Sequence, residues 1–400
     1  MLEARHLTKV FDLSPSRARR ALGAGADGDR ARAVREAGGV LAVDDVSFSV
    51  ERGELFVIMG LSGSGKSTVI RMINRLVTPT AGNVVYDGTD VGAMTPRQLR
   101  ELRNQRIGMV FQHFALFPHR TVRENAAYGL KARGMPRRER LRRADRALEQ
   151  VGLGRRGDAY PDEFSGGMQQ RVGLARALTT DPDVLIMDEP FSALDPLTRR
   201  AMQEQLLELQ RDFRKTIIFV THDLNEAMRL GDRIMVMRDG RIVQLGTGPD
   251  IISRPADGYV HDFVSDVDRT RVLTAGTVMQ PAWVTATVDE DPAAVLARVA
   301  DSRGQGVYVT APDGEIAGVA TPELLSRAVA ERAADLRDCL SDDYTAVPDD
   351  TPLVEFCHLT GGHAVPLAVV DRDKHLVGVA PRARVLDAIA SAPEDVNAHA

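Results

Sequence analysis

The sequence predicts an α/β domain built on a largely parallel sheet, followed by a smaller α+β part. Three observations support this fold class. Short apolar runs such as 55–59 and 184–187 are separated by longer helical patterns, as in α/β folds. A glycine-rich segment joins the first of these runs to a helix. Toward the carboxyl end, the residue pattern recurs with a period of 60 residues.

The composition is that of an ordinary globular protein, with 44% hydrophobic and 27% charged residues. A chain of 400 residues exceeds one compact core and predicts two or three domains. No apolar run approaches the ~18 residues that span a bilayer, and the N-terminus lacks a signal-peptide core. Two cysteines, Cys339 and Cys357, cannot form a disulfide framework or a metal cluster. We therefore expect a cytosolic or peripheral protein.

Charge is distributed unevenly along the chain. Residues 271–400 contain 10 basic and 20 acidic residues, whereas residues 1–270 contain 41 and 36. This contrast predicts separate domains, and the weak positive balance of the first part does not indicate a nucleic-acid binder. The arginine-rich segment 14–39 is predicted to be a solvated surface excursion, with a binding arm as the less favoured alternative.

The segment Gly60-Leu-Ser-Gly-Ser-Gly-Lys-Ser-Thr68 fits the pattern G-x-x-x-x-G-K-[ST], which wraps nucleotide phosphates. Its context fits as well, because a buried strand precedes it and an amphipathic helix follows. Glycines let several backbone N–H groups converge on one anion, Lys66 adds a positive charge, and Ser67 offers a hydroxyl to Mg²⁺. The residues assigned to phosphate binding are Gly60, Ser62, Gly63, Ser64, Gly65, Lys66, Ser67 and Thr68.

Two further strands end in residues that suit phosphate chemistry. The strand at 184–187 is followed by Asp188, which suits Mg²⁺, and by Glu189, which is placed to take a proton from attacking water. The strand at 216–221 is followed by His222. Of nine histidines, it alone stands at the carboxyl end of a parallel-type strand, where α/β active sites collect.

The strand at 107–112 ends in Gln112, whose amide could ligate Mg²⁺ or orient water, although an isolated glutamine there is more often a plain strand-end residue. The apolar loop 114–118 is either packed core or the landing site of a partner.

Ser165, Gly166 and Gly167 precede the predicted helix 170–178 and form a second anion-binding cap. One chain with two caps but a single lysine-bearing loop predicts that two copies share the nucleotides.

In these motifs and their order, residues 1–265 closely resemble the ATP-binding subunit of ABC transporters, with a helical subdomain at about 98–180. The sequence around Gly60, Gln112, Ser165 and Asp195 is similar to that of ATP-binding subunits of importers of the glycine betaine/proline (quaternary amine) type. Two positions of the family signature differ, because Phe164 and Met168 replace the usual Leu and Gln.

The resemblance implies ATP and Mg²⁺ as cofactors and a role for each motif residue. The catalytic residues would be Lys66, Glu189 and His222, and the Mg²⁺ ligands would be Ser67, Gln112 and Asp188. His222 would also contact the γ-phosphate, and Ser165, Gly166 and Gly167 would cap the nucleotide held by the other protomer. Phe11 is the candidate for stacking on adenine, with plain core packing as the alternative.

The implied assembly is an ATP-dependent homodimer on transmembrane permease subunits, at the cytoplasmic face of the membrane. An extracytoplasmic substrate-binding protein would be an indirect partner, and nucleic acid would not be one. Alternatives are an importer for another small solute, a soluble non-transport ABC ATPase, and a non-hydrolytic nucleotide sensor. The last two are disfavoured because there is no second ATPase half and because Glu189 and His222 are intact.

The carboxyl-terminal repeat has units that read strand–helix–strand–strand–helix. Its first unit has Asp289, Pro292, Leu296, Val309, Asp313 and Gly318, and its second has Asp349, Pro352, Phe356, Val369, Asp373 and Gly378. The pattern resembles a tandem CBS pair at 273–331 and 333–391, which implies a regulatory part that senses ionic strength or a cyclic dinucleotide. Leu324 and Arg384 stand where a nucleotide-binding acid is usual, so adenosyl binding is not expected.

Overall fold

The computed structural model describes residues 1–25, 29–111, 115–265, 267–301, 306–363 and 365–390, and it divides into two units, 1–264 and 265–400. The strands of the first unit are β1 (Leu2–Phe11), β2 (Val40–Val50), β3 (Leu55–Met59), β4 (Ala81–Tyr86), β5 (Thr89–Asp90), β6 (Ile107–Val110), β7 (Val184–Asp188), β8 (Thr216–Thr221), β9 (Arg233–Arg238) and β10 (Arg241–Gly246). Its α-helices are α1 (Pro15–Ala24), α2 (Arg30–Glu36), α3 (Lys66–Ile73), α4 (Pro96–Gln105), α5 (Val122–Ala126), α6 (Tyr128–Ala132), α7 (Arg137–Gln150), α8 (Gly166–Leu178), α9 (Pro196–Phe213), α10 (Leu224–Leu230), α11 (Gly248–Ser253) and α12 (Gly258–Val264). The second unit contains the strands β11 (Thr285–Thr287), β12 (Val307–Thr310), β13 (Ile316–Ala320), β14 (Ala346–Pro348), β15 (Leu367–Val370) and β16 (Leu376–Ala380). Its α-helices are α13 (Ala275–Val278), α14 (Pro292–Asp301), α15 (Pro322–Ala330), α16 (Leu353–Phe356) and α17 (Arg382–Ala390).

The main sheet of the first unit has six strands in the order β10-β9-β3-β8-β7-β6. All its pairs are parallel except that of β10 with β9. Every residue of β3, β7 and β8 is buried, as expected for strands covered on both faces. Because these three strands are neighbours and run in the same direction, the residues that follow them meet at one edge of the sheet.

A second sheet, antiparallel in the order β2-β1-β4-β5, packs against the main sheet. Both sheets contribute to one apolar cluster, in which the rings of Phe48 and Phe56 stack with centroids 5.2 Å apart. Helix α3 lies in the same cluster through Val69, Ile70 and Ile73. The predicted α/β fold of the first part is therefore confirmed.

The segment expected to be a solvated excursion contains two helices with an apolar core of their own. Ala18 and Ala21 of α1 and Val34 of α2 are buried in one cluster with Val10 of β1. The arginines of these helices remain exposed or half-buried. The segment thus differs from the prediction, because small apolar residues at helical spacing pack it onto the edge of the second sheet.

Helices α5 to α8 form the predicted helical part. Ala144, Ala147 and Leu148 of α7 are buried, and most of its arginines are exposed, as the helical spacing indicates. Strand β6, which lies within the predicted range 98–180, belongs to the main sheet instead.

The second unit contains two three-stranded sheets, β11-β12-β13 and β14-β15-β16, each in the order strand–helix–strand–strand–helix. Equivalent pairs stand 60 residues apart: Val307 pairs with Ala320, and Leu367 with Ala380. The residues that pack in each sheet's core do not all come from the same repeat unit as that sheet. Leu273 and its neighbours pack in the core of the second sheet, and residues 336–340 pack in that of the first.

Within the described ranges, no helix is both long and apolar enough to cross a membrane.

Candidate functional site

The glycine-rich loop connects the end of β3 to the start of α3 at the centre of the main sheet. Gly60, Gly63 and Gly65 have φ angles of 147°, 84° and 99°, which favour glycine. A Cβ atom on Gly65 would lie 2.6 Å from the carbonyl oxygen of Ala42, and one on Gly60 would lie 2.2 Å from that of Met237. The loop is therefore closely surrounded by backbone and requires glycine at these two positions.

Lys66 begins α3 and is buried. Its Nζ donates to the carbonyl oxygens of Gly60 and Leu61, at 2.8 and 3.0 Å. Burial lowers the pKa of the Lys66 ammonium, and the nearby carboxylates Glu189 and Asp188 act in the opposite direction. The positive charge is thus held at the loop, among groups that belong to the neighbouring strand ends.

Ser67 and Asp188 meet between α3 and the end of β7. The Ser67 hydroxyl donates to Asp188 Oδ1 over 3.1 Å. Burial raises the pKa of Asp188, while the Ser67 hydrogen bond and the charge of Arg71 lower it. A hydroxyl and a carboxylate at this separation are hard oxygen donors that fit Mg²⁺. The third predicted ligand, Gln112, lies outside the described residues.

The same loop fits a phosphate chain. The close backbone approach at Gly60 and Gly65 leaves no room for a side chain there, and the N–H groups of such glycine-rich turns form anion-binding concavities. The Ser64 hydroxyl is buried and has no hydrogen-bond partner among the described residues. Such an unsatisfied buried donor is expected where an anion binds.

Glu189 and His222 are brought together from two adjacent strands. Glu189 Oε2 lies 3.0 Å from Nδ1 of His222. Glu189 has a φ of 44°, which is uncommon for a residue other than glycine, and its N–H donates to Val220 O on β8. This turn directs the carboxylate toward the residue that follows β8. The pair suits proton transfer next to a reacting phosphate.

The second predicted cap lies at the start of α8. Ser165 is exposed in an extended conformation, and its side chain makes no hydrogen bond to the helix. Gly167 is buried against α9, since a Cβ there would lie 2.3 Å from Thr198 Cγ2. Among the described residues, no hydrogen bond joins Ser165, Gly166 or Gly167 to the glycine-rich loop. Within one chain, the structure thus shows no hydrogen bond between the two predicted anion-binding groups among the described residues.

Phe11 ends β1 opposite Val40 and is half-buried, with Nζ of Lys9 4.9 Å from its ring centroid. Val40 stands two residues before Ala42, whose carbonyl oxygen closely approaches the glycine-rich loop. Phe11 therefore pairs with β2, the strand whose Ala42 approaches the loop.

Sequence reasoning missed the ion pairs behind the loop. The Asp44 carboxylate accepts hydrogen bonds from Arg30, at 3.1 Å, and from Arg241, at 2.9 and 2.6 Å. The Asp44 N–H donates to Gly240 O, and the Gly240 N–H donates to Ser64 O. These contacts link helix α2, strand β2 and the loop. No local pattern signals them, because Asp44 and Arg241 lie far apart in the chain.

A second missed group supports the segment that carries His222. Glu226 is buried and accepts hydrogen bonds from Thr221, at 2.7 Å, and Gln203, at 3.2 Å. Burial raises the pKa of Glu226. The Asp223 carboxylate caps helix α10. The sequence after β8 could have predicted this cap, because an aspartate followed three residues later by a glutamate is typical of a helix start.

Comparison with known proteins identifies the same family as the sequence motifs, that of ABC transporter ATP-binding subunits. The family described as ABC transporter matches residues 43–192. The chain is 45% identical to the glycine betaine transport ATP-binding protein OpuAA of Bacillus subtilis, covering 99% of this chain and 94% of the relative. It is 42% identical to the glycine betaine/proline betaine transport system ATP-binding protein ProV of Salmonella typhimurium, covering 97% of each. Among solved structures, the dimeric bacterial ABC transporter cassette MJ0796 matches 62% of this chain and 98% of its own, with 32% identity and a TM-score of 0.52.

Proposed function

The chain belongs to the family of ATP-binding subunits of ABC transporters, and we propose that it hydrolyses ATP to drive an importer of glycine betaine/proline-type osmolytes. The observation that carries the proposal is the meeting of Lys66, the Ser67–Asp188 pair and the Glu189–His222 pair at the ends of β3, β7 and β8. The full-length similarity to glycine betaine transport proteins supports the substrate class.

Each group has a distinct role in the proposed reaction. The N–H groups of the glycine-rich loop and the Lys66 ammonium bind the β- and γ-phosphates of ATP. Glu189 accepts a proton from the attacking water as that oxygen bonds to the γ-phosphorus and the bond to the β-phosphate oxygen breaks. His222, held 3.0 Å from Glu189, orients that carboxylate and contacts the γ-phosphate. Mg²⁺ held by Ser67 and Asp188, with Gln112 as a third ligand, would neutralise charge on the phosphates.

We infer that two copies of the chain are needed. Ser165 and Gly166 are exposed at the start of α8, directly before the buried Gly167, and the N–H groups and dipole of a helix N-terminus favour an anion. In a dimer, this cap would complete the nucleotide site of the other copy, with Phe11 beside the adenine. The printed description of MJ0796 as dimeric supports this arrangement for a related cassette.

The remaining partners follow from the transport role. We propose that the subunit binds transmembrane permease subunits at the cytoplasmic face of the membrane, with a substrate-binding protein as an indirect partner. The loop that ends at Pro118 is the candidate contact, although Phe114 lies outside the described residues. Phe117 in the described part is half-buried, and its ring lies 4.5 Å from that of Tyr128. We further propose that 273–331 and 333–391 are a tandem CBS pair that regulates transport.

Reconstitution with its permease tests the function. We expect ATP-dependent uptake of radiolabelled glycine betaine, with competition by proline betaine and not by sugars. ATP hydrolysis with no uptake of any quaternary amine would contradict the substrate class. The absence of ATP hydrolysis in the assembled complex would contradict the catalytic assignment.

A further inference from the structure

An open cavity of about 290 Å³ lies at the surface between helix α7, the end of α8 and the start of β8, and its three arginines are exposed. We call it the arginine cavity, because Arg142, Arg143 and Arg146 of α7 line it together with Lys215. None of its lining residues belongs to the nucleotide site. We propose that the arginine cavity is a second anion site, which binds a small phosphate-bearing molecule.

The charge of the cavity is the first argument. Among the residues that the structure describes, four cationic side chains line it, and Asp181 is the single acid. Lys215 Nζ forms an ion pair with Asp181 over 2.6 Å, and Arg143 pairs with Glu139 of its own helix over 2.8 Å.

Arg142 and Arg146 make no ion pair with any residue of the described chain. They stand four positions apart on α7, so they share one helix face, and like charges at this spacing destabilise a helix. A bound anion would relieve this repulsion while forming hydrogen bonds with the planar guanidinium groups.

Size and lining define the class of ligand. A volume of about 290 Å³ is at the lower end for small-molecule sites, so it admits a phosphate or pyrophosphate group with a small attached moiety. Ala147 and Leu178 give the cavity an apolar part, whereas the arginines offer forked donors that match phosphate oxygens. The carboxyl end of α8 carries partial negative charge, but the charges of Arg142 and Arg146, which form no ion pair among the described residues, outweigh it.

The position of the site has a structural consequence. Arg142 and Arg146 belong to the helical part, and Lys215 directly precedes β8 of the main sheet. An anion that contacts both walls would tie helix α7 to the strand that leads to His222. The site thus offers a way for a soluble phosphate compound to influence the ATPase without entering the nucleotide site.

Pyrophosphate binding by the full-length chain tests the proposal. The background variant is Lys66→Ala, which weakens anion binding at the glycine-rich loop, and calorimetry is performed without Mg²⁺. Adding Arg142→Ala and Arg146→Ala should weaken pyrophosphate binding by at least about tenfold, since two charged donors are lost. The control adds Arg100→Ala and Arg138→Ala, which removes the same charge from exposed sites outside the cavity, and it should change affinity less than about twofold. Equal loss in both variants, or no detectable binding in the background variant, would overturn the proposal.

A gain of affinity provides an independent test. Asp181 has a φ of 49°, a conformation that asparagine also tolerates, so Asp181→Asn should fold normally. It frees Lys215 and removes the acid from the cavity. Pyrophosphate should then bind about fivefold more tightly at low salt, and the difference should shrink at 1 M salt, where the screening length is about 3 Å. Unchanged or weaker binding would contradict the site.

Discussion

Replacing the buried carboxylate of Asp44 by an amide tests whether the ion pairs behind the phosphate-binding loop hold it in place. The Asp44 side chain is 2% exposed, whereas those of Arg30 and Arg241 are 38% and 60% exposed. Breaking a buried pair costs about 3–5 kcal/mol, and an exposed pair contributes about 0–1 kcal/mol. Because both arginines can stay hydrated, we expect Asp44→Asn to lower the free energy of unfolding by about 2 kcal/mol.

The same variant should affect ATP binding more than turnover. Asp44 and Ser64 are connected through the backbone of Gly240, so a displaced Asp44 would loosen the loop that we propose to bind the phosphates. We expect the KM for ATP to rise roughly fivefold with kcat changed less than about twofold, the pattern of lost uniform binding.

Urea unfolding and steady-state ATPase assays measure the two effects. Asp87→Asn is the matched control, because Asp87 pairs with Arg52 at 2.8 Å on the exposed surface. We expect its unfolding free energy to change by less than about 0.5 kcal/mol. If Asp44→Asn matched this control in stability and the parent in KM, the proposed support of the loop would be wrong.

Three further predictions concern assembly, coupling and regulation. Mixing Lys66→Ala protomers with Ser165→Arg protomers should restore part of the ATPase activity, because heterodimers rebuild one composite site; no recovery would contradict shared sites. Phe117→Ser should uncouple hydrolysis from transport with little change in melting temperature, since the ring is half-buried against Tyr128; a large drop in melting temperature would make it a core residue. We propose that the acidic residues of 271–400 inhibit transport at low salt through exposed charges, so that deleting 271–400 should make the transporter active at low salt. Such charge interactions weaken as the screening length falls from about 8 Å at 0.15 M to about 3 Å at 1 M. If transport still required the same salt concentration after the deletion, residues 271–400 would not control its salt dependence.

The sequence predicts the strands and loops that carry the candidate site because their signals are local. The run at 55–59 coincides with β3, and α3 begins at Lys66, so that a helix follows the glycine-rich segment as predicted. Asp188 ends the buried strand β7, and Glu189 and His222 directly follow the parallel neighbours β7 and β8, so strand adjacency accounts for their meeting. The roles assigned to the site residues stay predictions.

The features that the sequence does not predict depend on contacts between distant residues or on weak patterns. Asp44 meets Arg241 only after the two sheets have packed. The helices α1 and α2 bury small residues such as Ala18 and Ala21, which give little periodic signal among arginines. The repeat of 60 residues does not reveal that Leu273 packs with the second sheet, because periodicity carries no information about which copy a segment contacts.

The most direct test of the account is the ATPase activity of Glu189→Gln. The amide keeps the shape of the side chain and its place 3.0 Å from the His222 ring, but it cannot accept a proton. We predict that the variant binds ATP in the presence of Mg²⁺ with the affinity of the parent. Its turnover should fall by about 10²–10⁴-fold, the usual contribution of a general base. Hydrolysis within a few-fold of the parent would show that Glu189 is not the base and would contradict the proposed mechanism.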